Sequence, residues 1–173
     1  MTSIIKADNI STVSGSGNIT IPTGVSVVGT DAASIYAPGH IIQIIEDNHS
    51  TNYVSVSTTS TWTQVMSTSI TPKFATSKIF IAFEWTSYGG NTARLRTHSR
   101  IMRGSTNVKS ANDIFFRESG GELKSIRTYL SQIDSPATTS SVSYSFDVQN
   151  EFAVSGSDIA MGFVKATLME IAQ

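Results

Sequence analysis

The chain of 173 residues contains no cysteine, so neither disulfide bonds nor thiolate metal ligands can hold its fold together. Only 14% of the residues are charged and the formal net charge is −1, which argues against a nucleic-acid-binding surface. No run of eighteen apolar residues is present, and the first residues, Met1–Lys6, lack the long apolar core of a signal peptide. We therefore expect neither nucleic-acid binding nor membrane insertion.

The residues that are abundant favour strands and turns. Serine and threonine dominate the polar fraction, whereas glutamate and lysine, which favour helices, are scarce. Threonine favours strands, and serine favours turns. This composition predicts an all-β protein.

The N-terminal segment, residues 1–38, differs from the rest of the chain. Short alternating runs at Ile19–Ile21 and Val25–Val27 lie among closely spaced glycines and prolines, so only brief strands fit between the turns. Isolated ribbons of this kind are marginal in water and must pack against the head, sister chains or another protein. The sequence Ala37-Pro38-Gly39 is the natural boundary. We expect a stalk over residues 1–38 and a separate head domain over residues 39–173.

Residues 39–173 show runs of β-type pattern separated by turn signals. The first run is apolar enough to be buried on both faces, and the run from Val142 alternates most regularly. Eight or nine strands of this spacing predict an antiparallel β-sandwich, jelly-roll-like in arrangement. The predicted strands are His40–Glu46, Tyr53–Ser57, Thr61–Ile70, Lys78–Thr86, Arg94–Met102, Ser125–Ile133, Val142–Val148 and Phe163–Ile171, with a loosely patterned stretch around Ile114–Phe116.

Two of these strands have a clear apolar face. Their apolar residues recur at every second position, as in strands with one buried side. We expect both sets to face the core: Ile79, Ile81, Phe83 and Trp85 in one strand, and Val142, Tyr144, Phe146 and Val148 in the other.

Four segments, in a fixed order, resemble a known family. They are Ile70–Ile79 (ITPKFATSKI), Met102–Thr106 (MRGST), Asp134–Ser140 (DSPATTS) and Thr167–Ile171 (TLMEI). Together they resemble small fibre and spike-type structural proteins of tailed bacteriophages, especially phages of marine and cyanobacterial hosts. The resemblance spans residues 70–171 and implies a virion component, commonly a fibre or spike. It implies no catalytic residue.

The sequence holds no constellation that would indicate an enzyme. His40, His49 and His98 lack the spacing of metal ligands, and no G-x-S-x-G nucleophile elbow is present. The chain is also too short for the long β-helical bodies on which phage glycan depolymerases build their carboxylate clefts. We expect no enzymatic activity, no metal and no cofactor.

A basic stripe is one candidate binding surface. Arg94, Arg96, His98 and Arg100 share one strand parity and would line one face, where they could bind anionic groups of a host envelope. The favoured alternative is pairing across strands with acidic residues. The candidate acidic partners are Asp113, Glu118, Glu122 and Asp147.

Aromatic side chains are a second candidate, since carbohydrate sites use aromatic faces. Trp62, Trp85 and Tyr88 are the residues concerned. Trp85 continues the apolar face of its strand, so we expect it in the core. Tyr88 precedes Gly89-Gly90 and is the better candidate for an exposed ligand contact.

These observations predict a homotrimeric structural protein at the virion surface. Residues 1–38 would bind other virion proteins, and the head would decorate the particle or attach to the host, with host-surface glycans as a further partner. A capsid decoration or cement protein is the alternative within the same class. A carbohydrate-binding module of a secreted protein is the alternative outside it.

Overall fold

The computed structural model describes Thr23 and residues 37–49, 54–56, 60–89, 95–116, 124–151 and 159–173. The chain divides into two compact units, Met1–Ile35 and Tyr36–Gln173. The predicted stalk, residues 1–38, therefore falls almost entirely outside the described residues. The described residues contain nine strands and no helix.

The nine strands form two antiparallel sheets. The strands are β1 (Ile41–His49), β2 (Val54–Val56), β3 (Trp62–Ile70), β4 (Lys78–Gly89), β5 (Leu95–Arg103), β6 (Thr106–Phe116), β7 (Lys124–Asp134), β8 (Val142–Asn150) and β9 (Ile159–Ile171). Sheet 1 has the order β1-β9-β4-β7, with β2 pairing the other end of β9, and sheet 2 has the order β3-β8-β5-β6. The predicted fold class, an antiparallel jelly-roll-like β-sandwich, is confirmed for the head.

The core lies between the two sheets and is built from the two predicted apolar faces. All eight side chains of those faces, four in β4 and four in β8, are buried. At the centre, the ring of Phe146 from sheet 2 lies 5.5 Å from that of Phe83 and 4.4 Å from that of Trp85, both from sheet 1. Aromatic contacts of this kind add to the free energy of burial.

Strand β1 is not buried on both faces, so that expectation was wrong. Among the described strands it pairs with β9 alone, at the edge of its sheet, and its inner side packs against the core through Ile45. Ile41 and Ile44 point outward and are 54% and 52% exposed. An apolar run cannot by itself tell an edge strand from a central one, because it does not show which neighbours the fold supplies.

Strands β1, β4 and β8 continue two or three residues beyond their expected ends. The differences are larger in two further strands. Strand β6 extends from Thr106 to Phe116, where the sequence shows only a loose pattern. Strand β9 begins at Ile159, four residues before the expected Phe163. A β-bulge explains the second difference: between Gly162 and Lys165, β9 has one residue more than its partner β4. The bulge shifts the alternation, which hides the first part of the strand.

A buried carboxylate anchors the loop that carries the chain from sheet 2 to sheet 1. Glu170 of β9 is fully buried. It accepts hydrogen bonds from the backbone N–H groups of Lys73 (2.7 Å) and Phe74 (3.2 Å) and from the side-chain amide of Gln43 (2.6 Å). Because Lys73 and Phe74 lie between β3 and β4, the carboxylate fixes the crossing between the sheets.

A second polar cluster joins the sheets at the end of β7. Asp134 of sheet 1 accepts hydrogen bonds from Arg103 (2.8 Å) and from the hydroxyl of Tyr144 (2.8 Å), both in sheet 2. Burial raises the pKa of Tyr144 well above its ordinary value, and the hydrogen bond to Asp134 and that residue's negative charge raise it further. The tyrosine therefore stays a neutral donor at physiological pH.

Candidate functional site

The basic stripe is partly described, and its last member is paired. The guanidinium of Arg100 stacks over the ring of Trp62 at 4.2 Å and binds Asp147 through Nε and Nη2, each 3.0 Å from Oδ2. His98 Nε2 lies 3.1 Å from a carboxylate oxygen of Glu151. Asp147, one of the four predicted acidic partners, therefore pairs with the stripe, with only 7% of its surface exposed. Glu118, Glu122 and the side chain of Asp113 lie outside the described part of the chain.

Of the other predicted contact residues, only Tyr88 has a described side chain, and it lies on the other sheet. Arg94 lies outside the described residues, and Arg96 is described only by its backbone position in β5, opposite Phe115. Tyr88 lies within β4 rather than in a turn and is half-buried. Its position alternates with buried Ser87, which places it on the outer face of sheet 1, whereas Arg100 is on the outer face of sheet 2.

The two outer faces differ in chemistry. That of sheet 2 is polar: besides the Arg100 cluster it carries exposed serines, and the hydroxyls of Ser67 and Ser143 are 2.8 Å apart. That of sheet 1 carries most of the exposed large apolar side chains. Ile41, Ile44, Tyr129, Ile133 and Phe163 all lie there.

At one end of sheet 1, apolar residues form a line across four of its five strands. Ile44 of β1 pairs with Met169 of β9, Met169 pairs with Phe80 of β4, and Phe80 pairs with Ile133 of β7. We call these four residues the apolar row. Ile44 and Ile133, at its ends, are 52% and 49% exposed. Ile41, beside the row, is 54% exposed.

At the other end of the same face, ion pairs alternate with exposed aromatic rings. Lys165 Nζ lies 2.7 Å from Glu46, and Arg127 pairs with Glu84. Tyr129 is 74% exposed and Phe163 is 64% exposed. A shallow depression, here called the Phe163 concavity, is lined by Asn48, His49, Arg127, Phe163, Val164 and Lys165.

The backbone at Phe163 is unusual. Its φ is +50°, in the left-handed region, and it lies in the β9 bulge. A bulky residue with positive φ is rare, because its Cβ crowds the backbone there. The bulge turns the ring outward instead of into the core.

Sequence reasoning missed both ends of this face. Ile44 was assigned to a doubly buried strand, and Phe163 was taken as an ordinary strand residue. One signal was present: β9 carries large apolar residues on both parities, with Val164 and Leu168 on one and Met169 and Ile171 on the other. Without the pairing, that pattern indicates only a strand with two apolar faces.

Among the described residues, no group of three or more histidine, aspartate or glutamate side chains could hold a metal ion. The same part of the chain has no helix that could cross a membrane.

Comparison with known proteins gives structural likeness only. No protein-family model and no curated protein matches the sequence. Dimeric latent PorU from Porphyromonas gingivalis aligns over 83% of this chain and 14% of its own, with 10% identity and a TM-score of 0.48. A structure of infectious bursal disease virus, Gx strain, aligns over 83% of this chain and 37% of its own, with 9% identity and a TM-score of 0.46. The VP2 subviral particle of that virus aligns over 86% of this chain and 37% of its own, with 11% identity and a TM-score of 0.42. The chain thus spans less than half of each of these three proteins.

Proposed function

We propose that this chain is a structural component of a tailed-phage virion, a trimeric fibre or spike protein. In this proposal residues 1–38 attach to other virion proteins and the β-sandwich head projects from the particle or caps it. The resemblance over residues 70–171 supports the virion assignment. The observation that carries the assembly role is the apolar row on the outer face of sheet 1.

The apolar row has the properties of a surface that another protein covers. Together with Ile41 it places three isoleucines, each about half exposed, on one end of a single face. Covering the exposed half of each isoleucine would contribute about 1 kcal/mol. Contiguous apolar patches on soluble proteins commonly mark interaction sites. The apolar character of β1, which predicted burial on both faces, is consistent with a partner on its outer side.

A second copy of the chain fits this face by charge. Two ion pairs on this face, Lys165 with Glu46 and Arg127 with Glu84, are balanced within the chain. Exposed Lys78, opposite Ile171 beside the row, leaves the described part of the face with one net positive charge. One exposed charge per copy causes only a small repulsion, which salt screens. Three copies are preferred because a three-fold axis would also bury the apolar ribbon expected over residues 1–38.

Sedimentation velocity and native mass spectrometry of the full chain test the assembly. We expect a trimer at micromolar concentration. Ile44→Lys should weaken association by about tenfold or more, because the loss of about 1 kcal/mol of apolar contact and the cost of burying a charge together exceed the roughly 1.4 kcal/mol that a tenfold change represents. Ser69→Lys, on the exposed outer face of sheet 2, is the matched control and should remain trimeric. A stable wild-type monomer, or equal effects of the two lysines, would contradict the proposal.

The virion role needs a separate test. Mass spectrometry of purified particles from the phage or prophage that encodes the chain should detect it. Immunogold labelling should then place it on the tail, as expected for a fibre, or on the shell, as expected for a decoration protein. Particles that lack the chain would overturn the virion role while leaving the assembly result standing.

A further inference from the structure

We propose that the Phe163 concavity binds a neutral oligosaccharide, with the ring of Phe163 as a platform for one pyranose unit. This inference rests on the geometry at the β9 bulge and does not depend on the virion role. The concavity lies along sheet 1 beyond the apolar row, separated from it by the row of Glu46 and Thr167.

The first argument is that the fold holds an aromatic ring in water at a strained position. Phe163 has a φ of +50° and remains 64% exposed. Its ring therefore buries too little surface to offset the cost of the strained backbone. Backbone strain that packing does not explain is characteristic of functional sites. Bulges beside binding sites commonly serve to redirect one side chain. A ligand that packs against the ring would account for both features.

The second argument is the mixture of hydrogen-bonding groups around the ring. Lys165 and Arg127 supply donors, their partners Glu46 and Glu84 supply acceptors, and the amide of Asn48 supplies both. Because each cation is already neutralised by a carboxylate, the site does not favour an anion. Sugar hydroxyls donate and accept at once, so a neutral sugar can use both halves of each ion pair.

The third argument is a second exposed ring at a useful distance. Tyr129 pairs with Glu84, and Glu84 pairs with Lys165 of β9, so Tyr129 lies two strands away from β9. Neighbouring strands are about 4.8 Å apart, which puts Tyr129 roughly 10 Å from β9 across the sheet. Two platforms with a charged strand between them suit a ligand of more than one sugar unit.

Ligand-observed saturation-transfer NMR with the full-length protein tests the proposal. The probes are maltotetraose, cellotetraose and chitotetraose, each at millimolar concentration. Phe163→Gly removes the ring and tolerates positive φ. Ala137→Gly is the matched control, because Ala137 also has a positive φ (54°) but lies outside the concavity. Phe163→Tyr restores the platform.

We expect at least one probe to bind the wild type, the Ala137→Gly control and Phe163→Tyr. Phe163→Gly should weaken that binding about tenfold or more without lowering the melting temperature below that of the control. No transfer to any probe would overturn the proposal, as would undiminished binding by Phe163→Gly. A melting temperature for Phe163→Gly well below that of the control would also overturn it, since the ring would then serve packing. Sedimentation of the same variants keeps this result separate from the trimer test.

Discussion

Glu170→Ala should be among the most destabilising single changes on β9. The carboxylate is fully buried and accepts the backbone N–H groups of Lys73 and Phe74. Removing it leaves two donors without an acceptor in a place that water does not reach, and each such donor costs about 1–3 kcal/mol. The cavity adds to this penalty. We therefore expect a loss of about 3–6 kcal/mol in the free energy of unfolding.

Glu170→Gln separates the hydrogen bonds from the volume. One oxygen remains to accept from Lys73 and Phe74, but the new amide meets the side-chain amide of Gln43 as donor to donor. Gln43 must then turn its amide around and lose its hydrogen bond to the carbonyl of Thr71, which is 2.7 Å long. One lost hydrogen bond corresponds to about 0.5–1.5 kcal/mol, so this variant should lose less than half as much as Glu170→Ala.

Urea unfolding followed by circular dichroism measures both variants, at one protein concentration because association would shift the midpoint. Thr167→Ala, on the outward parity of the same strand, is the control and should stay within about 0.5 kcal/mol of the wild type. If Glu170→Ala stays within about 1 kcal/mol of the wild type, the carboxylate does not hold the crossing loop. Equal losses for alanine and glutamine would show that neither the side-chain volume nor the retained oxygen matters, and that the second carboxylate oxygen, which accepts from Gln43, holds the loop.

Three further predictions concern the core, the sheet crosslink and the entry turn. Phe146→Ala should cost about 3–5 kcal/mol in chemical denaturation, and Ser143→Ala, at an exposed position of the same strand, less than about 0.5 kcal/mol. Similar losses for the two variants would contradict a one-sided β8. Because the pKa of Tyr144 is raised in the folded state, its contribution to the free energy of unfolding is present below pH about 10 and declines above it, by up to about 1.4 kcal/mol per pH unit. Tyr144→Phe should therefore flatten the alkaline fall in stability. An unchanged fall in the variant would refute the role assigned to Tyr144. Gly39 has a φ of +89° in a turn closed by a 3.0 Å hydrogen bond from His40 N–H to the Ala37 carbonyl. Because a residue with a Cβ is strained at this φ, Gly39→Ala should lower the melting temperature. An unchanged melting temperature would contradict a requirement for glycine in this turn.

Much of the head could be predicted because strand alternation is a local property. In β4 and β8, a two-residue period separates core from surface without knowledge of any partner strand. The turn before Thr106 was equally local: Gly104, with a φ of +55°, is the first central residue of a two-residue hairpin loop between β5 and β6. Such signals need only neighbouring residues, so sequence reasoning finds them.

The candidate site depends on pairings that are distant in sequence, which is why it was not found. The apolar row exists only because β1, β9, β4 and β7 align in one register, and these strands are separated by up to 125 positions between Ile44 and Met169. The exposure of Phe163 depends on one extra residue in β9 relative to β4. Arg100 was correctly given Asp147 as a possible partner, because charge balance is visible in composition, but its stacking on Trp62 required the register of β3, β8 and β5.

The four segments that carry the family resemblance meet in pairs inside the fold. Glu170, from the closing segment Thr167–Ile171, binds the backbone of the Ile70–Ile79 segment. Arg103, from Met102–Thr106, binds the first residue of Asp134–Ser140. The segments that carry the resemblance are therefore the ones whose hydrogen bonds connect the two sheets.

The exposed residues of the candidate site lie outside those segments. Ile44 and Ile133 mark the two ends of the apolar row, and Tyr129 and Phe163 are the rings at the other end of sheet 1. None of the four takes part in the hydrogen bonds of Glu170 or Asp134 that connect the sheets. A protein could thus share those hydrogen bonds and differ entirely in what this face binds. The assembly and sugar-binding proposals are for that reason tested at Ile44 and Phe163, where a change of function need not disturb the sandwich.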